Sequence, residues 1–150
     1  MTRFVQSAPA WVAQYIGIPF KAYGRDLDGC DCWGLVRLVA RDQFSFALPF
    51  YEGRSWEPGT DGATLAAFME IERARQGTWT EIARGTEDAG DCILMLGGRR
   101  RADPIHVGII PAFGWVLHTE AGINAALDRY HEMRIKHAIV GFYRHASRAA

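Results

Sequence analysis

The stretch Asp28-Gly29-Cys30-Asp31-Cys32-Trp33-Gly34-Leu35-Val36 sets a thiol where a helix is expected to begin. Asp31 stands at an N-cap position ahead of Leu35, Val36, Leu38 and Val39, which recur at helical spacing, so the helix starts at Cys32. Free N–H groups in a first turn and the helix dipole both favour an anion. This predicts a Cys32 thiol drawn below its free pKa of about 8.5, nucleophilic as thiolate and open to alkylation well below that pH. The same N–H groups could hold the oxyanion that forms when a carbonyl is attacked.

A cysteine nucleophile needs a base, and the base needs an orienting partner within hydrogen-bond reach. His106 lies in the run Ile105 to Ile110 and His118 in the run Trp115 to Thr119, with Pro111 to Gly114 between them. As neighbouring antiparallel strands, they bring the two imidazoles to one face only if opposed residues have numbers with an even sum. A two-residue turn at Phe113-Gly114 gives the wrong parity. A three-residue loop, Ala112 to Gly114, sets His118 opposite Gly108 and His106 opposite Glu120, so an odd-length loop or a bulge is expected here, with both imidazoles facing Cys32. Gly114 then takes a left-handed conformation, and Gly108 leaves room for the His118 ring.

The other reactive residue types read more simply. Cys92, beside Ile93-Leu94-Met95-Leu96, is expected in the core, since free cysteine is among the most buried residues. Cys30 stays open between an accessory thiol, a packing residue and half of a Cys-x-Cys metal clip, although zinc sites more often space their cysteines further apart. Asp91, after Gly90, reads as a strand-start carboxylate that satisfies turn amides. His131, His137 and His145 are expected at the surface. Phe44, Phe46, Phe50, Tyr51 and Trp56 read as an aromatic loop over the core, with a substrate groove as the alternative.

These groups need elements to hold them. A first helix is expected from Ser7 as N-cap and Pro9 in the first turn, with Trp11, Val12, Tyr15 and Ile16 on one face and Gly17 at its end. After an irregular stretch from Ile18 to Gly29 comes the Cys32 helix, and Leu65, Phe68, Met69 and Glu72 mark a third that Gly77 closes. The period then changes. Thr78 to Ala83, Asp91 to Leu96, Ile105 to Ile110, Trp115 to Thr119 and Ala138 to Arg144 read as successive strands. Helices first and strands after imply an α+β domain, and no repeat or linker divides residues 1–150.

Composition narrows the function classes. The chain has 150 residues, 49% hydrophobic and 23% charged, which suits one core without a disulfide framework or structural metal. Seventeen basic against seventeen acidic residues leave no net basic field for nucleic acid, and Arg99 to Arg101 read as a solvated loop. No apolar run approaches the roughly 20 residues of a membrane span. The odd cysteine count and a start without a long apolar segment lead us to expect cytoplasmic synthesis without a signal peptide.

In order along the chain, Asp31-Cys32-x-Gly34-Leu35-Val36, Gly90-Asp91, His106-Val107-Gly108-Ile109 and Leu117-His118 resemble the NlpC/P60 cell-wall cysteine peptidases. Cys30-Asp31-Cys32 and the long aromatic segment after the Cys32 helix are similar to the phage and gene-transfer-agent tail peptidases of that family. The resemblance runs from Ile16-Gly17-Ile18-Pro19-Phe20 to about Tyr143. It implies a papain-like fold with N-terminal helices packed on an antiparallel sheet, and catalysis by Cys32 as nucleophile, His106 as base and His118 as its orienting residue. No cofactor or metal is implied. The implied substrate is the peptidoglycan stem peptide, the implied partners are tail-hub or baseplate proteins, and the implied location is a particle tail acting on the cell wall. Trp33 stands where many members have serine, which is expected to reshape the cleft. Phe20 stands where many have a tyrosine. The rival readings are a catalytically inactive tail structural or assembly module and a cysteine-and-histidine metal-binding protein.

Overall fold

The computed structural model describes residues 3–49, 78–97, 103–120 and 122–148. The expected third helix, Phe50, Tyr51, Trp56 and Arg99 to Arg101 lie outside them. The first turn of structure is a 3₁₀ helix, Ala10–Gln14, whose N-cap is Pro9 with no side-chain cap bond. It is therefore shorter and tighter than the helix expected from Ser7. Val12 and Tyr15 are buried and Ile16 is exposed, so only part of the anticipated apolar face packs. Gly17, at φ +90°, turns the chain away.

Two short strands, β1 (Arg25–Asp26) and β2 (Gly29–Cys30), form an antiparallel pair just ahead of helix α1 (Cys32–Phe44). The expected start of α1 is observed. Asp31 accepts the Gly34 N–H at 2.8 Å through Oδ1, satisfying one of the unpaired first-turn amides. The same oxygen accepts Arg25 NH1 at 2.7 Å, and Arg25 also donates to the Gly24 carbonyl. A side chain at Gly34 would collide with that Gly24 carbonyl, so this glycine lets α1 close onto the preceding loop. α1 ends where Ser45 adopts a left-handed conformation, φ 58°.

The side chains of Arg25 and Asp31 are 4% and 0% exposed, so each neutralises the other away from water. Removing one partner takes from the other a charge-assisted bond made away from water. Asp31→Ala is expected to lower stability by about 3–5 kcal/mol, read from urea unfolding. A double variant, Arg25→Met with Asp31→Asn, is expected to lose less, since it removes the buried cation together with its carboxylate and keeps a capping oxygen. A loss below about 1 kcal/mol for Asp31→Ala would show that water or another group satisfies Arg25.

Among the described residues, the second half of the chain forms a six-stranded sheet. Its strands are β3 (Trp79–Ile82), β4 (Cys92–Gly97), β5 (Asp103–Ile109), β6 (Trp115–Glu120), β7 (Ile123–Arg129) and β8 (Ile139–His145), in the spatial order β3-β8-β4-β5-β6-β7. All neighbouring pairs are antiparallel. Five of these six strands fall within two residues of their expected bounds; β7 and the one-turn helix α2 (Met133–Lys136) are additions. Alternation along the strands divides the core in two. Cys92, Ile109 and Leu117 pack with Leu35, Val36 and Val39 of α1, while Ile93, Met95, Ile110 and Val116 pack with Tyr130, Ile135 of α2 and Phe142. Among the described residues no helix is long and apolar enough to cross a membrane.

The β5–β6 connection has the expected parity, reached by a bulge rather than by an odd-length loop. Ile109 pairs with Leu117, the register that sets His118 opposite Gly108. Yet the Trp115 N–H bonds to the Ala112 carbonyl, so the turn is centred on Phe113 and Gly114, which alone would give the wrong parity. Ile110 and Pro111 together face Val116 between turn and ladder, and that one extra residue restores the register. Gly114 has φ +100°, as the turn requires. The space at Gly108 is used by Val116 and Met95 rather than by the His118 ring: a Cβ there would strike Val116 Cγ2 and approach Met95 Cε.

Candidate active site

Cys32 is the first residue of α1 and is 2% exposed. Backbone N–H groups of Val107, the residue after His106, and of Trp33 are directed at its sulfur. The nucleophile candidate and the strand of the base candidate therefore meet. The thiol does not behave as the helix start alone predicts. Burial first, then the charge of Asp31, push it up to about 12, outweighing those two amides and Arg25. A sulfur sealed from water loses more by desolvation than a helix terminus returns, so the resting group is a neutral thiol.

His106 and His118 are 5% and 6% exposed. Their rings are in contact, with His106 Nε2 and His118 Nδ1 2.8 Å apart. The ladder explains the meeting. Ile109 pairs with Leu117, which puts His118 on the side of Gly108 and of His106 two residues away, and Val116 pairs with Asp128, so both imidazoles and the Asp128 carboxyl share one side of the strands. There His118 Nε2 donates to Asp128 Oδ2 at 2.7 Å, and Arg134 NH2 of α2 lies 3.1 Å from Asp128 Oδ1. The hydrogen bond from His118 holds the Asp128 carboxyl below the usual carboxylate range, with burial opposing and Arg134 adding to the effect.

Asp128 is the member that sequence reasoning missed. Its signal was the alternation Ile123, Ala125, Leu127 against Asn124, Ala126, Asp128 just past Gly122, which marks a partner strand for β6.

The remaining candidates sort by contact. Cys30 is fully buried on β2, with its thiol pushed up to about 12, chiefly by burial. Cys92 is 3% exposed in the core, and burial raises its pKa. Among the described residues no three histidine, cysteine or acidic groups converge to hold a metal. Asp91 accepts the Asp88 N–H at 2.8 Å, as a turn carboxylate should, and also a two-point contact from Arg144 Nε and NH2 at 2.9 and 2.7 Å. Trp33 is 2% exposed and donates to the Pro49 carbonyl, so it packs into the core rather than lining a cleft. Phe46 is likewise core, with Phe44 against it. His131 and His137 are exposed, whereas His145 is half-buried, stacked on Phe46 and edge-on to Trp79.

The chain is similar in fold to three solved structures. One is the NlpC/p60 domain of the peptidoglycan hydrolase SagA, at 22% identity and TM-score 0.55, covering 90% of this chain and 96% of that one. A second, from Staphylococcus aureus subsp. aureus Mu50, is described as similar to lipoprotein, NLP/P60 family; it is 18% identical with TM-score 0.57 over 96% of this chain. The third is an NlpC/P60 family protein from Bacillus cereus ATCC 10987, 16% identical with TM-score 0.59 over 93% of this chain. This chain spans 44% and 41% of the length of those last two. No curated protein matches the sequence. The family model described as NlpC/P60 family matches residues 17–144. The α+β architecture is thus the papain-like one expected, and the chain belongs to the NlpC/P60 family.

Proposed function

We propose that the chain is a cysteine peptidase that hydrolyses amide bonds in peptidoglycan stem peptides. The observation that carries this reading is a thiol at a helix start, held against the backbone of the strand whose His106 is bonded to His118. That arrangement supplies each part of acyl transfer. His106 takes the thiol proton as the sulfur attacks the scissile carbonyl, and first-turn N–H groups such as that of Trp33 receive the oxyanion. His106 then protonates the leaving amine, and the same imidazole activates the water that releases the acyl group. The substrate class rests on the family and on its likeness to a peptidoglycan hydrolase domain.

Carriage on a phage-like tail, with tail-hub or baseplate partners and delivery to the cell wall, rests on Cys30-Asp31-Cys32 and the aromatic segment that follows α1. A second reading, a catalytically inactive tail module of the same fold, is favoured by the 2% exposure of Cys32 and its raised pKa. Digesting purified sacculi with the chain and identifying muropeptides by mass spectrometry separates the two. Newly cleaved stem peptides are expected; intact muropeptides across wall types would favour the inactive module.

A further inference from the structure

We propose that Asp128 is a positioning residue that fixes where the protons sit on both imidazoles, so that His106 presents a lone pair at Nδ1 to the thiol of Cys32. The inference rests on the peptidase reading above. An ionised carboxylate has no proton to give, so in the 2.7 Å contact between His118 Nε2 and Asp128 Oδ2 the imidazole is the donor. A neutral His118 with its proton on Nε2 carries a lone pair on Nδ1. The atom 2.8 Å from that lone pair, His106 Nε2, must then hold a hydrogen and donate it. A neutral His106 protonated at Nε2 has its lone pair on Nδ1, the form a base requires.

Each choice follows from the one before, and the chain of choices starts at Asp128. With the opposite polarity, His118 would donate from Nδ1, His106 would carry its proton on Nδ1, and no lone pair would remain at the ring nitrogen that the peptidase reading assigns to the thiol. Arg134 pairs with the other carboxylate oxygen, Oδ1, which leaves Oδ2 aimed at His118. In the transfer itself the S–H bond of Cys32 breaks and an N–H bond forms at His106 Nδ1. The sulfur keeps the electron pair. The imidazolium so formed still donates from Nε2 to His118, and the charge on Asp128 stabilises it through that ring.

The test pairs nitrogen-15 NMR of the imidazoles with kinetics on soluble muropeptides, in the wild-type chain and in Asp128→Asn. The wild type is expected to show the Nε2–H tautomer for both His106 and His118. The asparagine amide can donate as well as accept, so the variant is expected to show mixed tautomers at both rings. Its kcat is expected to fall about 10²-fold or more with KM nearly unchanged, as when a triad carboxylate that selects a tautomer becomes an amide. An Nδ1–H proton on His106 in the wild type, or unmixed tautomers in the variant, would overturn the proposal whatever the activity. A kcat within about threefold of wild type would overturn it as well. Absence of cleavage by the wild type would count against the peptidase reading instead, and the NMR would still decide the role of Asp128.

Discussion

Cys32→Ala is expected to abolish release of cleaved muropeptides from sacculi, a loss on the order of 10⁴-fold or more, while the folded chain keeps its circular dichroism and thermal midpoint nearly unchanged. The nucleophile supplies a bond-forming step that positioning groups alone do not replace. Truncating a thiol to a methyl group removes one buried atom, a weak acceptor for the Val107 and Trp33 N–H groups, and leaves the cap made by Asp31 and Arg25 in place. Cys30→Ala and Cys92→Ala are expected to retain most of the activity. Alanine is the informative substitution at those two sites, because both are almost fully buried and a serine hydroxyl there would add an unpaired polar group. Activity that survives Cys32→Ala, or that disappears only with Cys30→Ala, would move the nucleophile elsewhere.

The readable part of this fold is the part written in strong local patterns. Asp31 before a helical apolar face located the start of α1, and β-branched runs located β3, β4, β5, β6 and β8. Parity along β5 and β6 was enough to bring His106 to His118, although an extra residue near Pro111 replaced the three-residue loop. Where local pattern is weak, the structure departs from expectation. β7 is built from Ile123-Asn124-Ala125-Ala126-Leu127-Asp128, which has low strand propensity and holds its shape by pairing with β6, so the carboxylate behind His118 went unseen. β1 and β2 have two residues each, too few to show a period. The Cys32 pKa departs from its sequence expectation for a related reason. A helix start can be read from neighbours in sequence, but desolvation depends on what the rest of the chain packs over the sulfur.

That same desolvation makes the fold sensitive to alkali. An unburied thiol ionises at about 8.5–9, whereas Cys30 and Cys32 are pushed up to about 12 and Cys92 is raised as well. The folded state therefore keeps its thiol protons at pH values where the unfolded chain gives them up. A folded pKa above the unfolded one gives stability that is complete below pH 9 and declines as pH rises toward 12. The slope is about 1.4 kcal/mol per pH unit for each thiol, or about 2 kcal/mol each at pH 10.5. All three thiols act in the same direction. Tyr15 and Tyr130 are raised too, chiefly by burial, and act in the same direction. Urea unfolding at pH 8 and 10.5 under reducing conditions separates the two contributions. The wild type is expected to lose several kcal/mol more between those pH values than a Cys30→Ala, Cys32→Ala, Cys92→Ala triple variant, which keeps only the tyrosine share of the loss. Parallel losses in the two proteins would mean that the thiols ionise within the folded state, and the Cys32 thiolate would then be accessible near its ordinary pKa after all.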